Sequence, residues 1–235
     1  MKAGIIAAGH GERLARSHPG TVKPLVPVAG SPLCHWVAGS LIKAGLADIT
    51  LVHNSSGRAV RASLTSSFPK AVWSFLERDT ASSWETFRIL ATALAASGEP
   101  FIVSTVDALA APAEVARFAH EARARQADAA LALTDFIDDE KPLYADLGED
   151  GLIKSLGAAA KTRALATVGL YYLTPALARR MPEAGRFGKL RDYLSELVAS
   201  GARVAGVRLE KTIDVDRPED IRTAEGFLKE AARSW

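Results

Sequence analysis

Residues 2–30 read KAGIIAAGHGERLARSHPGTVKPLVPVAG. Lys2 to Ala8 is a short apolar run with the composition of a strand buried in a parallel sheet. It breaks at once into Gly9-His10-Gly11, where missing side chains let the backbone pass close to something large. Arg13 follows, and then Lys23-Pro24-Leu25. An apolar strand emptying into a glycine turn, with two cations at hand, is a natural place to hold phosphates. The two commonest glycine fingerprints do not fit. The dinucleotide pattern wants a third glycine at position 14, where this chain has Leu14, and the Gly-Lys-Ser/Thr of a P-loop is absent. A plain structural turn is therefore the competing reading of the loop. Against it, Lys23 is fixed between Val22 and Pro24 inside an apolar stretch, which does not suit a merely solvated cation.

Outward from this stretch, strands and helices alternate. Helical signals cover Pro32–Ala44, Arg58–Phe68, Ser82–Ser97 and Ala111–Gln126, with Pro32 opening the first and Gly45 and Gly98 closing two of them. Between them lie apolar strands at Asp48–Asn54, Lys70–Glu77, Pro100–Asp107 and Ala127–Phe136. The rhythm then loosens. Tyr144–Leu156 reads as a hairpin around Gly148-Glu149-Asp150-Gly151, Ala164–Leu173 and Arg203–Lys211 are further strands, and Arg217–Arg233 closes as a helix. Alternation of this kind implies βαβ units and a mostly parallel sheet, with the loops after the strands gathered on one edge. No repeat or linker divides residues 1–235, so one α/β domain is expected.

Bulk properties narrow the partners. A formal net charge of +2 without any long basic run gives no nucleic-acid footprint. No apolar window reaches the length of a membrane span, and the amino-terminal segment lacks the build of a signal peptide. The single Cys34 excludes an intramolecular disulfide and fits a reducing compartment, so a cytoplasmic protein is expected. The apolar surroundings of Cys34 favour packing over reactivity. His10, His18, His35, His53 and His120 show no metal-ligand spacing, which speaks against zinc.

The joined pattern AAGHGERL…KPLVPVAGSPL resembles the opening motif of the sugar-1-phosphate nucleotidyltransferases. The resemblance continues through Ser104-Thr105-Val106-Asp107, Val168-Gly169-Leu170-Tyr171 and Asp214-Val215-Asp216-Arg217-Pro218-Glu219-Asp220-Ile221. It implies a GT-A-like, three-layer α/β/α Rossmann-like fold, with residues 1–110 as a nucleotide-binding half and 111–235 as an acceptor-binding half. It also implies nucleotide contacts from Ala7, Ala8, Gly9, Gly11, Arg13 and Lys23, the last two catalytic as well. The segment after the third strand, with Thr80, Ser82 and Ser83, would read base and sugar, although helix capping explains Ser82 and Ser83 equally well. Asp107 would bind Mg2+ together with Asp214 or Asp216; Asp216 could instead only cap the last helix, and Asp220 is expected to face solvent there. Gly169 and a lysine, Lys161 or else Lys154, are the acceptor-side candidates. At Lys161 the chain departs from the family's Glu-Lys pair, since Gly157-Ala158-Ala159-Ala160 offers no glutamate.

These residue types suit the chemistry. A phosphate oxygen of the acceptor attacks the α-phosphorus of a nucleoside triphosphate, and pyrophosphate leaves opposite. The protein must position two polyanions and offset their repulsion, which cations and a carboxylate-held magnesium ion do. The expected partners are a nucleoside triphosphate and a phosphorylated small molecule, with a homodimer as a mild expectation. Three other readings stay open: cytidylyl or guanylyl transfer to a cofactor or phosphocholine-type precursor, an Asp-x-Asp glycosyltransferase, and a catalytically silent nucleotide-binding module.

Overall fold

The computed structural model describes residues 1–9, 11–15, 17–138 and 140–230. His10 of the opening loop and residues 231–233 of the expected closing helix lie outside the described residues. Seven strands form the central sheet: β1 (Lys2–Ala7), β2 (Asp48–His53), β3 (Val72–Glu77), β4 (Phe101–Thr105), β5 (Ala129–Thr134), β6 (Ala166–Leu173) and β7 (Val204–Arg208). Their spatial order is β7-β5-β6-β4-β1-β2-β3. β1 pairs in parallel with β2 and β4, β2 with β3, and β5 with β7, whereas β6 runs antiparallel to both of its neighbours. The mixed character expected of the second half thus resides in one reversed strand.

Helices cover both faces. α1 (Leu33–Lys43), α2 (Arg58–Ser67), α4 (Pro112–Ala124) and α6 (Pro218–Glu230) pack into one apolar layer. α3 (Ser83–Ala95) and α5 (Leu190–Ala199) pack into the other, together with the hairpin Ala145–Leu147/Ile153–Leu156. The result is an α/β/α arrangement, because a parallel sheet presents two apolar faces and each needs a helical cover. Trp84, Phe87, Phe101 and Phe118 are fully buried, and each such side chain contributes about 1.5–3 kcal/mol of apolar burial. Cys34 is fully buried as well, and burial pushes its thiol up to about 12, which suits packing and not reactivity.

Two strand ends differ from the sequence-based expectation in a way that builds the site. β4 stops at Thr105, and Val106-Asp107 turns back, with the Val106 N–H bonded to the Ile6 carbonyl at 3.0 Å. β7 likewise stops at Arg208. The chain released at these two ends forms a separate antiparallel ribbon, Ala108–Ala110 against Thr212–Asp214, with Asp214 opposite Ala108. The Val215 N–H then bonds the Asp107 carbonyl at 3.1 Å. Segments far apart in sequence are thereby fixed side by side at the edge where β1 and β4 end.

Candidate active site

At that edge lies a cavity of about 600 Å3. Ala8, Gly9, Gly11, Arg13, Lys23, Thr80, Ser82, Ser83, Asp107 and Asp216 all line it. Ala7 lines a neighbouring hollow that shares Gly9. Asp214 lines a narrower cavity that shares Arg13 and Asp216 with the first and also includes Thr134, Thr167 and Arg217. Lys161 stands apart, in a further cavity between the hairpin region and α5 that adjoins the Asp214 cavity through Pro142.

The centre of the large cavity is a cluster of three charges. Lys23 begins a short turn of 3-10 helix, Lys23–Leu25, and its side chain is 7% exposed. Its Nζ donates to Asp107 Oδ2 at 2.6 Å and to Asp216 Oδ1, partners 84 and 193 residues away. Burial alone would lower the lysine pKa, but the two carboxylates outweigh it and hold the group well above its ordinary range. Burial in turn favours the neutral form of Asp107. The Lys23 charge and a hydrogen bond from Thr105 reverse that effect and keep its carboxyl below the usual value. Thr105 had no signal of its own in the sequence.

Asp216 is aimed by its successor turn. Asp220 Oδ2 accepts from the backbone N–H groups of Asp216 at 3.0 Å and Arg217 at 2.8 Å, and Asp220 Oδ1 accepts from Arg217 Nη2 at 2.8 Å. The expectation that Asp220 faces solvent is corrected: it is buried, because it satisfies the N–H groups at the start of α6 that no helical carbonyl can reach. Capping, weighed above for Asp216, is the work of Asp220. Asp214 is exposed and one ribbon position from Val215, which is fully buried. Burial pushes the Tyr171 phenol up, and the charges of Asp214 and Asp107 add to the effect.

The glycines divide by physical cause. Gly11 has φ +61° and a Cβ on it would stand 2.5 Å from Lys23 Cβ, so both its conformation and the approach of Lys23 require glycine. Gly9 has open space where its side chain would be, so within the protein nothing demands glycine there. Gly169 sits at an irregularity in the β5–β6 pairing, and a Cβ there would collide with Thr105 Oγ1. Its missing side chain is explained by that close packing behind the Asp107 turn. The hydroxyls past β3 hold local structure. Ser82 caps α3 by accepting from the Glu85 N–H at 3.1 Å, Ser83 accepts from the Leu190 N–H at 3.0 Å, and Thr80 bonds Thr86. They shape the cavity wall while already engaged. Arg13 is half-exposed, with Glu140 at 3.7 Å.

Among the described residues, no group of three or more His, Cys, Asp or Glu is arranged to hold a metal. A pair of carboxylates brought to one ammonium is a different donor set. It suits magnesium, which takes one or two protein carboxylates and completes its shell with substrate phosphates and water. Asp107 and Asp216 are the residues that fit.

A mostly parallel sheet whose reversed strand lies beside the central pair, with a cationic glycine loop facing two carboxylates, defines a nucleotide-handling α/β protein. Residues 3–183 match the model of the MobA-like NTP transferase domain, and the chain belongs to that family. It is 37% identical over 110 residues to N-acetylmuramate alpha-1-phosphate uridylyltransferase of Neisseria meningitidis, covering 46% of this chain and 48% of that one. It is 26% identical over 257 aligned positions to CMP-5'-(3-aminopropyl)phosphonate synthase of Streptomyces rubellomurinus, covering 96% of this chain and 38% of that one. The chain thus spans less than half the length of these curated relatives. Among solved structures, the inositol-1-phosphate CTP transferase of T. maritima superposes with a TM-score of 0.82 at 18% identity, covering 97% and 96% of the two chains. UDP-glucose pyrophosphorylase bound to UDP-glucose superposes at 0.77 and 18%, covering 97% and 98%. These likenesses show that the fold is shared. No described helix is long and apolar enough to cross a membrane.

Proposed function

We propose that this chain transfers a nucleotidyl group from a nucleoside triphosphate to a sugar 1-phosphate, releasing pyrophosphate. The observation that carries the reading is the meeting of Lys23, Asp107 and Asp216 on the wall of the glycine-loop cavity. Family membership supports the same chemistry. In this reading residues 1–235 work as one unit, the first half holding the nucleotide and the second the acceptor, in the cytoplasm with its triphosphate pool.

The residues divide the work as follows. Gly9 and Gly11 let backbone N–H groups approach the triphosphate. Arg13 forks across phosphate oxygens, and Lys23 offers a point charge. Asp107 and Asp216 would hold Mg2+, which when bound neutralises phosphate charge and makes the α-phosphorus more open to attack. The narrower cavity meets the first at Arg13 and Asp216, so an acceptor phosphate that reaches this junction lies between a cation and a carboxylate of the nucleotide side. No protein nucleophile is needed; orientation and charge supply the rate. Lys161, in the separate cavity beyond Pro142, and Gly169, behind the Asp107 turn, are the acceptor-side candidates.

A second acceptor class is favoured by one observation. The relative that aligns with 96% of the chain makes a CMP conjugate of an aminopropyl phosphonate, so a small phosphonate or phosphocholine-type acceptor belongs in the test. The experiment is a pyrophosphate-release screen of the common triphosphates against sugar 1-phosphates, phosphocholine and aminoalkyl phosphonates. One productive pair is expected, with Asp107→Asn folded and inactive on it. Turnover near wild type in Asp107→Asn would sink the assignment.

A further inference from the structure

We propose that Lys23 is a resident counter-cation that closes the metal position until a triphosphate arrives, so that nucleotide and divalent metal bind as a coupled pair. This rests on the reading of the cavity as a nucleotide–magnesium site and adds a binding order to it. The Lys23 ammonium touches both carboxylates that fit the metal, Asp107 Oδ2 at 2.6 Å and Asp216 Oδ1. Two of its three donors are thereby spent on the metal's own ligands. An ion held by both carboxylates would need the space that this ammonium fills. It would also meet a cluster of net charge −1 instead of −2, with correspondingly weaker attraction.

Lys23 cannot simply withdraw. A lysine only 7% exposed has lost most of its hydration, and a buried charge without a partner is costly. It needs a second anion within reach. The glycine loop supplies the place for one. Gly11 lies so close that a Cβ on it would be 2.5 Å from Lys23 Cβ, so phosphates cradled by the loop's N–H groups arrive beside the lysine stem. Transfer of the ammonium from carboxylate to phosphate then opens Asp107 and Asp216 at the moment the metal's remaining ligands, the phosphate oxygens, are delivered. By linkage, each partner tightens the other by the same factor.

The test is Mn2+ affinity, read by electron paramagnetic resonance of free Mn2+, for wild type and Lys23→Met. Each is measured with and without a non-hydrolysable α,β-methylene triphosphate, correcting for the Mn2+–analogue complex in solution. In the wild type, the analogue is expected to tighten Mn2+ by roughly tenfold or more. In Lys23→Met, Mn2+ alone is expected to bind roughly tenfold or more tighter than in the wild type, and the coupling to fall toward one. A wild-type coupling factor of one overturns the proposal without recourse to any variant. So does a folded Lys23→Met, checked by circular dichroism, that binds Mn2+ no tighter than wild type. If neither protein retains Mn2+ even with the analogue, the nucleotide–metal reading itself falls and the latch with it.

Discussion

Replacing Gly11 by alanine should damage the protein through two separable effects. The backbone at Gly11 has φ +61°, and an L-residue held there costs roughly 1–2 kcal/mol. The new Cβ would stand 2.5 Å from Lys23 Cβ and 3.3 Å from its Cγ and Cδ, an overpacking worth about 1–3 kcal/mol. Reduced freedom of the unfolded chain returns ~0.4–1 kcal/mol. The net loss is about 1–5 kcal/mol, and for a chain of this size ~3 kcal/mol lowers Tm by roughly 6–12 °C. Differential scanning calorimetry with urea unfolding reads it. Gly9→Ala is the control. It has open space at the Cβ position, so its Tm should stay within about 2 °C of wild type while triphosphate affinity falls. If Gly11→Ala proves as stable as wild type, or Gly9→Ala the less stable of the two, this division of the loop is wrong.

Asp220→Ala strips the backbone N–H groups of Asp216 and Arg217 of their acceptor and leaves the Arg217 guanidinium without its nearest carboxylate. Loss of a cap costs about 0.5–2 kcal/mol; urea unfolding should show at least that, and turnover should fall because Asp216 is no longer aimed. Normal turnover in a destabilised Asp220→Ala would limit Asp220 to stability. Gly169→Ala drives a methyl group into Thr105 Oγ1, so it should lose both stability and rate; an alanine tolerated on both counts would refute the close packing. The charge cluster also sets a pH dependence. Asp107 is held below its ordinary 3.8, so its contribution is present above that value and is lost as pH falls through the depressed pKa. Lys23 is held above its ordinary 10.5, so its contribution is full below 10.5 and is lost only as pH rises through the raised pKa. The urea midpoint of wild type should therefore drop on acidification below about pH 4. Lys23→Met should show a shallower or reversed slope there, and identical slopes would contradict the ion pairing.

The layers and most elements could be read from local pattern. The apolar run Lys2–Ala7, the helix stops at Gly45 and Gly98, and the Ser82 cap with Glu85 in the first turn are signals a few residues long. What local pattern does not carry is which strand ends become neighbours. Lys23 suggested a phosphate contact and Asp107 a metal contact, yet in the structure they hold each other, because β1 and β4 lie side by side and the Ala108–Ala110/Thr212–Asp214 ribbon adds Asp216. Asp220 was misjudged because a first-turn acid on a terminal helix reads as solvent-facing, and its burial depends on how the preceding turn folds back. For Asp220 the four-residue spacing from Asp216 was the available signal. Gly169 matched a motif, but its cause, contact with Thr105, exists only once β6 is reversed against β4.

The most direct measurement follows the label of a triphosphate carrying 32P at the α position, incubated with Mg2+ and the acceptor that scores in the screen. Nucleotidyl transfer predicts that the label moves into an acceptor conjugate in step with unlabelled pyrophosphate, and that neither forms without acceptor. Label retained in a nucleoside diphosphate or a monophosphate, with no conjugate for any acceptor, would contradict the account.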